Sequence, residues 1–239
     1  MHIYAVKQLN KEFIKNINDN NNTSIEKEIE ILSKINHPNI VKYYGTFEKK
    51  NYLNIILEYC NGGSLSKILE KIKFDENLIR KYISQILDGL EYLHIHNIIH
   101  RDIKCANILI HNNVCKLTDF GCAKIIKGDI NQTSSMKGTL NWMAPEIIIS
   151  GTATRYSDIW SIGCTIIEMF DSPPYNDKEN LNILNIVKNK EIPKIPEGMS
   201  DLLKDFVQKC LVFEGSKRSN VYELKRHPFL KKEDTASFS

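Results

Sequence analysis

The sequence predicts an α+β, bilobal protein, with a small β-rich lobe followed by a larger helical one. Three observations carry that expectation. Strand-like runs crowd the first sixty residues, and Gly62-Gly63 stands between a strand-like and a helical stretch. Beyond that pair, apolar residues recur at helical spacing. At 239 residues the chain is long enough to bury a sizeable core. The boundaries read as a partial small lobe at 1–60, a large lobe at 61–230 and a frayed tail at 231–239.

The elements follow in order. IYAVKQL (3–9) is a short β-rich run, and the Asn-rich stretch at 16–22 offers no core, so it reads as a connection. From Ser24 the pattern turns helical: Ile25, Ile29, Leu32 and Ile35 recur three and four apart and predict one apolar face. His37-Pro38-Asn39 ends that helix, because proline disfavours helical geometry in the residue before it. Two strands, 40–47 and 52–59, come next with a polar turn between them. In the larger part, residues 76–97 form one long amphipathic helix. The stretch 155–170 is apolar nearly all round and reads as buried.

Composition narrows the functional classes. With 42% hydrophobic and 26% charged residues the chain belongs among soluble globular proteins. A net charge of +3 suits a phosphorylated ligand without selecting one. Nucleic acid is disfavoured, since the Lys and Arg form no stripe interleaved with aromatics. The six cysteines show neither a CxxC pair nor metal-ligand spacing, which reads as reduced thiols of the cytoplasm. No apolar run approaches the roughly 20 residues that span a bilayer, so no membrane partner is expected.

Asp102, Asn107 and Asp119 fall within 18 residues, on loops flanking the short strand-like runs 107–110 and 115–118. A hairpin of those strands would aim both loops at one site. Phosphoryl transfer needs a cation on the phosphates, oxygen ligands for magnesium and an acceptor for the hydroxyl proton. Those residue types occur here in the required order. HRDIKCAN (100–107), DFG (119–121) and WMAPE (142–146) together resemble a eukaryotic protein kinase domain, a likeness running from AVK at 5–7 to HPFL at 227–230.

That resemblance implies roles for particular residues. Asp102 matches the aspartate that orients the substrate hydroxyl and accepts its proton, and Asn107 and Asp119 match the Mg2+ ligands. Lys7 resembles the lysine on the ATP phosphates and Glu28 its ion-pair partner. Taken alone, either would read as a solvated charge. Ala5 and Leu109 would sandwich the adenine, Leu57 would be the gatekeeper, and backbone groups of Glu58 and Cys60 would face the ring edge. All of these could equally be core packing. Lys104 and Thr139 resemble residues of serine/threonine kinases, Lys104 neutralising the transferring phosphate and Thr139 contacting the aspartate. Glu146 with Arg218, the anchor Asp158, and a spine of Leu32, Tyr43, His100 and Phe120 match structural features of the family.

HRDIKCANILI, KGTLNWMAPE and SDIWSIGCTIIEM are similar to strings of mitogen-activated protein kinase kinase kinases, and NGGSL and IVKYYG agree. Related germinal-centre and p21-activated kinases share parts of the pattern. The implied partner is a protein substrate, a MAP kinase kinase, with an upstream kinase acting on Thr133, Ser134 or Ser135. Phosphate there would meet Arg101, with Ser135 the first choice by motif position. A small-molecule kinase of similar fold is disfavoured by WMAPE and the Asp158 helix.

One departure stands out. Only six residues precede Lys7, and the two strands joined by a GxGxxG loop that cover the phosphates in this family do not occur. Their loss would leave an open strand edge, a pairing hazard. Two readings remain: a fragment of an active kinase, or a short pseudokinase scaffold with weak nucleotide binding. The five intact residues Lys7, Glu28, Asp102, Asn107 and Asp119 favour the first.

Overall fold

A computed structural model describes residues 2–11, 24–126, 138–176 and 180–231. Strands β1 (Tyr4–Asn10), β2 (Tyr43–Lys49) and β3 (Tyr52–Glu58) form an antiparallel sheet in the order β1-β3-β2. Alternation along β1 turns Ala5, Lys7 and Leu9 inward and leaves Tyr4, Val6 and Gln8 exposed. The register sets Lys7 opposite Ile55 and Ala5 opposite Leu57, so all four share the inner face.

Helix α1 (Ser24–Lys34) packs beneath that sheet, largely on the face its apolar spacing predicts, with Ile29 against the core. Ile25 and Ile29 are only half-buried, whereas Glu28, Ile31, Leu32 and the following Ile35 are buried. The buried stripe keeps Leu32 and Ile35 and takes in Ile31 and a carboxylate, Glu28, whose burial the Lys7 ammonium offsets. The helix stops at Lys34, just short of His37-Pro38.

The chain then crosses into the larger part at Asn61-Gly62-Gly63-Ser64. Strand β4 (Gly63–Ser64) joins β6 (Ile108–His111) and β7 (Val114–Leu117) in a second sheet. At Gly62 the backbone donates to Ile110 O at 2.8 Å, and a Cβ would lie 2.8 Å from Ile110 Cβ. Only glycine permits that approach. Asn61 and Asn112 exchange hydrogen bonds beside it, tying the crossing to the β6–β7 turn. That turn takes positive φ at both Asn112 and Asn113, the geometry a two-residue hairpin requires.

Ser64 caps the short α2 (Leu65–Leu69), and Asp75 caps α3 (Glu76–Ile95). The apolar face of α3 buries Ile79, Ile83, Ile86, Leu87, Leu90 and Leu93. Between α3 and β6 lies β5 (Ile98–Ile99), paired with β8 (Lys124–Ile125). After α4 (Pro145–Ser150) comes α5 (Arg155–Phe170), opened by a capping box of Thr154 and Ser157. Every residue of α5 from Ser157 to Met169 is buried, so this helix is the axis of the larger part. Helix α7 (Asp201–Cys210) packs against it, while α6 (Asn180–Lys188) packs against α4 and α8 (Val221–Lys225) against α3. Among the described residues no helix is long and apolar enough to cross a membrane.

Arg218 locks α4 to this axis. Its buried guanidinium reaches both carboxylate oxygens of Glu146 at 3.0 and 3.2 Å and the carbonyls of Tyr156, Val212 and Phe213. Glu146 keeps one-fifth of its side chain exposed. Removing the cation strands that carboxylate and three carbonyls. Arg218→Ala is therefore expected to cost about 3–5 kcal/mol. In a thermal melt this corresponds to a fall of about 10 °C; an unchanged midpoint would contradict the anchor role.

Candidate active site

The site begins with a carboxylate that does no chemistry itself. Asp158 of α5 has no exposed surface and accepts the backbone N–H groups of His100 (3.0 Å) and Arg101 (2.8 Å). His94 Nε2 lies 2.9 Å from Oδ2, the oxygen that also accepts the His100 N–H. These bonds hold Arg101 at φ +68°, a conformation that costs energy in a non-glycine residue. The next residue, Asp102, is thereby placed, nearly buried, beside Lys104, Asn107 and Thr139.

Four donors surround the Asp102 carboxylate. Oδ1 accepts the backbone N–H of Thr139 at 3.0 Å and its hydroxyl at 2.9 Å. Oδ2 accepts Asn107 Nδ2 at 2.7 Å and Lys104 Nζ at 2.9 Å. Lys104 also donates to the Thr139 hydroxyl. Burial alone would push the Asp102 pKa up. The Lys104 ammonium, then Thr139 and Asn107, outweigh it and hold the carboxyl below its usual range. Asp102 is thus ionised at neutral pH and a weak base. Its geometry suits aiming a hydroxyl and accepting a proton late, rather than abstracting one early.

A second constellation joins three elements, linked to the first where Thr118 N–H donates to Asn107 O at 3.1 Å. Lys7 of β1 reaches Glu28 of α1 at 2.7 Å and Asp119, beyond β7, at 3.4 Å. Burial pulls the Lys7 ammonium down, but the hydrogen bond and charge of Glu28, aided by Asp119, leave its pKa raised. The lysine stays charged, a state that would suit a phosphate ligand. Asp119 sits at φ +61° with its side chain half exposed. A cavity of about 240 Å³ opens here, with Lys7, Glu28 and Asp119 on one side and Leu32, Val41, Leu57 and Thr118 on the other. Two larger cavities, of about 760 and 800 Å³, lie in the larger part, and neither lining includes Lys7, Asp102, Asn107 or Asp119.

The donor set fits magnesium that arrives with phosphates. Asn107 spends its Nδ2 on Asp102 O and Oδ2, which leaves Oδ1 as the amide's oxygen donor. Asp119 offers the carboxylate. Among the described residues no group of three or more His, Cys, Asp or Glu could hold a metal by protein ligands alone. Magnesium commonly takes one or two protein oxygens and completes its shell with phosphate and water, so the two suffice.

The other expected positions lie around this centre. Ala5 and Leu57 face each other across β1 and β3, but only Leu57 lines the cavity. Glu58 gives its backbone N–H to Lys42 O and its carboxylate to Lys116, so its carbonyl alone remains for a ring edge. Cys60 is buried, and burial pushes its thiol up to about 11, which makes it a poor nucleophile. Leu109 is half-buried on β6 opposite Ser64. Of the spine, His100 and Phe120 pack ring to ring at 5.0 Å, Leu32 is buried and Tyr43 half-buried. Thr133, Ser134 and Ser135 lie outside the described residues.

Sequence reasoning missed three contributors. Val41 reads as an ordinary strand residue, and Thr118 carries no signal beyond preceding Asp119. Glu168 shares the apolar run of Asp158 and accepts the backbone N–H of Cys105 and the indole N–H of Trp142, partners that its position in the run does not signal.

The protein kinase domain model matches residues 1–230. The chain is 46% identical over 213 residues to mitogen-activated protein kinase kinase kinase 3 of Arabidopsis thaliana, covering 86% of the chain and 33% of that protein. It is 43% identical over 238 residues to mitogen-activated protein kinase kinase kinase A of Dictyostelium discoideum, covering 95% of the chain and 25% of the relative. Cytokinesis protein sepH of Aspergillus terreus is 44% identical over 211 residues, covering 87% of the chain and 16% of that protein. The chain thus spans a third or less of the length of these relatives.

The depressed pKa of Asp102 has a measurable consequence. A group whose folded pKa is lowered contributes stability above its unfolded pKa, about 4 for aspartate, and loses it as pH falls through the folded value. Asp102→Asn should therefore lose less stability than wild type on acidification from about pH 5 to about pH 3. Urea titrations across that range give the comparison; parallel pH curves would contradict the assigned shift.

Proposed function

The chain belongs to the protein kinase family, and on that premise we propose that it transfers the terminal phosphoryl group of ATP to serine or threonine hydroxyls of a protein substrate. The observation that carries this reading is the convergence on Asp102 of Thr139, Lys104 and Asn107, opposite the Lys7–Glu28–Asp119 constellation. Lys7, fixed by Glu28, is the cation for the nucleotide phosphates. Lys104 stands beside Asp102, where it would offset charge on the group in transit. Asp102 aims the acceptor hydroxyl and takes its proton as the new bond forms. Magnesium between Asp119, Asn107 and the phosphates would neutralise charge as the terminal phosphoryl group departs. The scaffold alternative gains no support, since Lys7 is charge-paired with Glu28 and Asp119, and Asp102 is hydrogen-bonded to Asn107.

The substrate we infer is itself a kinase, a MAP kinase kinase. That rests on relatives whose names place them in this position of the cascade. Control by an upstream kinase is supported by a cluster of cations. The Lys124 ammonium is held below its usual range by partial burial and then by the nearby cations Arg101 and Lys27. A phosphate on the segment carrying Ser135 would relieve that repulsion. The free thiols suit a reducing cytoplasm.

Transfer of labelled phosphate from ATP to a MAP kinase kinase, beside a generic protein acceptor, tests the reading. Asp102→Asn should lower the rate by about 100-fold or more. Equal signal from both proteins would refute transfer at this site. Ser135→Ala should abolish the stimulation given by an upstream kinase, and retained stimulation would move control elsewhere.

A further inference from the structure

The cavity of about 800 Å³ in the larger part has no role in the steps above. It lies where the end of α3 meets the starts of α5 and α8. Apolar walls come from Ile95, Ile126, Ala153, Ile159, Val221 and the ring of Tyr222. Ala153, Ile159 and Val221 are buried, whereas Ile95 is 58% and Tyr222 49% exposed. Two large apolar side chains therefore meet water at the mouth of a cavity whose deeper wall is core. Its volume falls in the range of about 300–1,000 Å³ that small-molecule sites occupy.

The charge at this cavity is one-sided. Among the described residues its lining holds the guanidinium of Arg155 and no carboxylate. The one side-chain hydrogen bond of Arg155 among those residues goes to Asn97 Oδ1 at 2.5 Å. A guanidinium carries five N–H donors in a fixed fork, so most of that fork is left for an acid group. Asn97 is itself held in place, because its carbonyl accepts the Ile126 N–H at 2.7 Å. The other polar groups are already engaged. Thr154 and Asn220 cap α5 and α8, and His94 Nε2 meets Asp158. Arg155 is thus the charged group left to select an occupant.

We propose that this cavity binds a small organic anion, with its acid group on Arg155 and an aromatic or alkyl body against Ile95, Ile126 and Tyr222. The inference goes beyond phosphoryl transfer and does not depend on it. An inorganic anion would leave the apolar walls wet, and a neutral apolar molecule would leave the guanidinium without an acid partner. The site differs in kind from the one around Lys7, whose ammonium is already matched by two carboxylates. His94 belongs to the cavity wall and lies 2.9 Å from Asp158 Oδ2, so an occupant would sit directly behind the carboxylate that holds the catalytic loop.

Anilinonaphthalene sulfonate, an aromatic body carrying one sulfonate, is the probe. Fluorescence titration of the full chain should show one saturable site with a Kd on the order of 10 µM. Arg155→Met keeps the apolar stem and removes the charge, and should weaken binding about tenfold or more. Ile95→Asp sets a carboxylate at the exposed rim and should weaken it by a similar factor. Neutral phenylnaphthylamine should bind the wild type more weakly than the sulfonate does, and should not distinguish it from Arg155→Met. Excess ADP with magnesium should leave the sulfonate bound, since the nucleotide residues lie outside this lining. Absence of saturable binding, equal affinity for wild type and Arg155→Met, or displacement by ADP overturns the proposal. If Arg155→Met does not fold, Ile95→Asp decides by the same titration. Phosphoryl transfer is not part of the readout, so a chain without kinase activity leaves this test intact.

Discussion

Asp158 is the constraint on which the catalytic loop depends. A carboxylate with no exposed surface is costly unless donors surround it, and here the donors are two backbone amides and His94. Satisfying that buried charge requires the loop to bring consecutive N–H groups to one point. The loop does so by taking Arg101 into positive φ, and the strain is the cost of the placement. Because α5 is buried along almost its whole length, the point it defines moves with the core. The position of Asp102 is thus inherited from the best-packed element of the protein.

The nucleotide side is built on the opposite principle. Lys7, Glu28 and Asp119 come from a strand, a helix and a loop that make their contact mainly through charge. Lys7 and Asp119 are both substantially exposed, so their pairing is screened and reversible, whereas Glu28 is buried. The arrangement therefore ties α1 firmly to the sheet and leaves Asp119 free to exchange lysine for other cations. The proposed uptake and release of a charged nucleotide would use that asymmetry.

How much of this was legible in the sequence depended on whether a residue acts by type or by placement. Asp102, Asn107 and Asp119 are legible because their chemistry needs those residue types at close spacing, and the hairpin of β6 and β7 follows from the strand-like runs between them. The α5 axis is legible from its nearly unbroken apolar run. The face of α1 is legible at Ile29, Leu32 and Ile35, but periodicity cannot foresee that Lys7, on another element, offsets the burial of Glu28 in the same stripe. Val41, Thr118 and Glu168 were invisible for the same reason: each matters through what lies beside it in space.

The protonation state of Asp102 connects these parts. Four donors hold the carboxylate ionised, and a carboxylate so stabilised has little driving force to pull a proton from an alcohol. Its value must lie in orientation, and orientation is worth having only if the frame is rigid on the scale of tenths of an ångström. Asp158 supplies rigidity on one side of Asp102, and Lys104, Asn107 and Thr139 supply it on the carboxylate itself. Proton acceptance can then come late, after bond formation has acidified the hydroxyl. At that stage even a weak base suffices. The sequence HRDIKCAN therefore specifies a fixed direction of approach more than a strong catalyst, and the buried carboxylates of α5 keep that direction fixed.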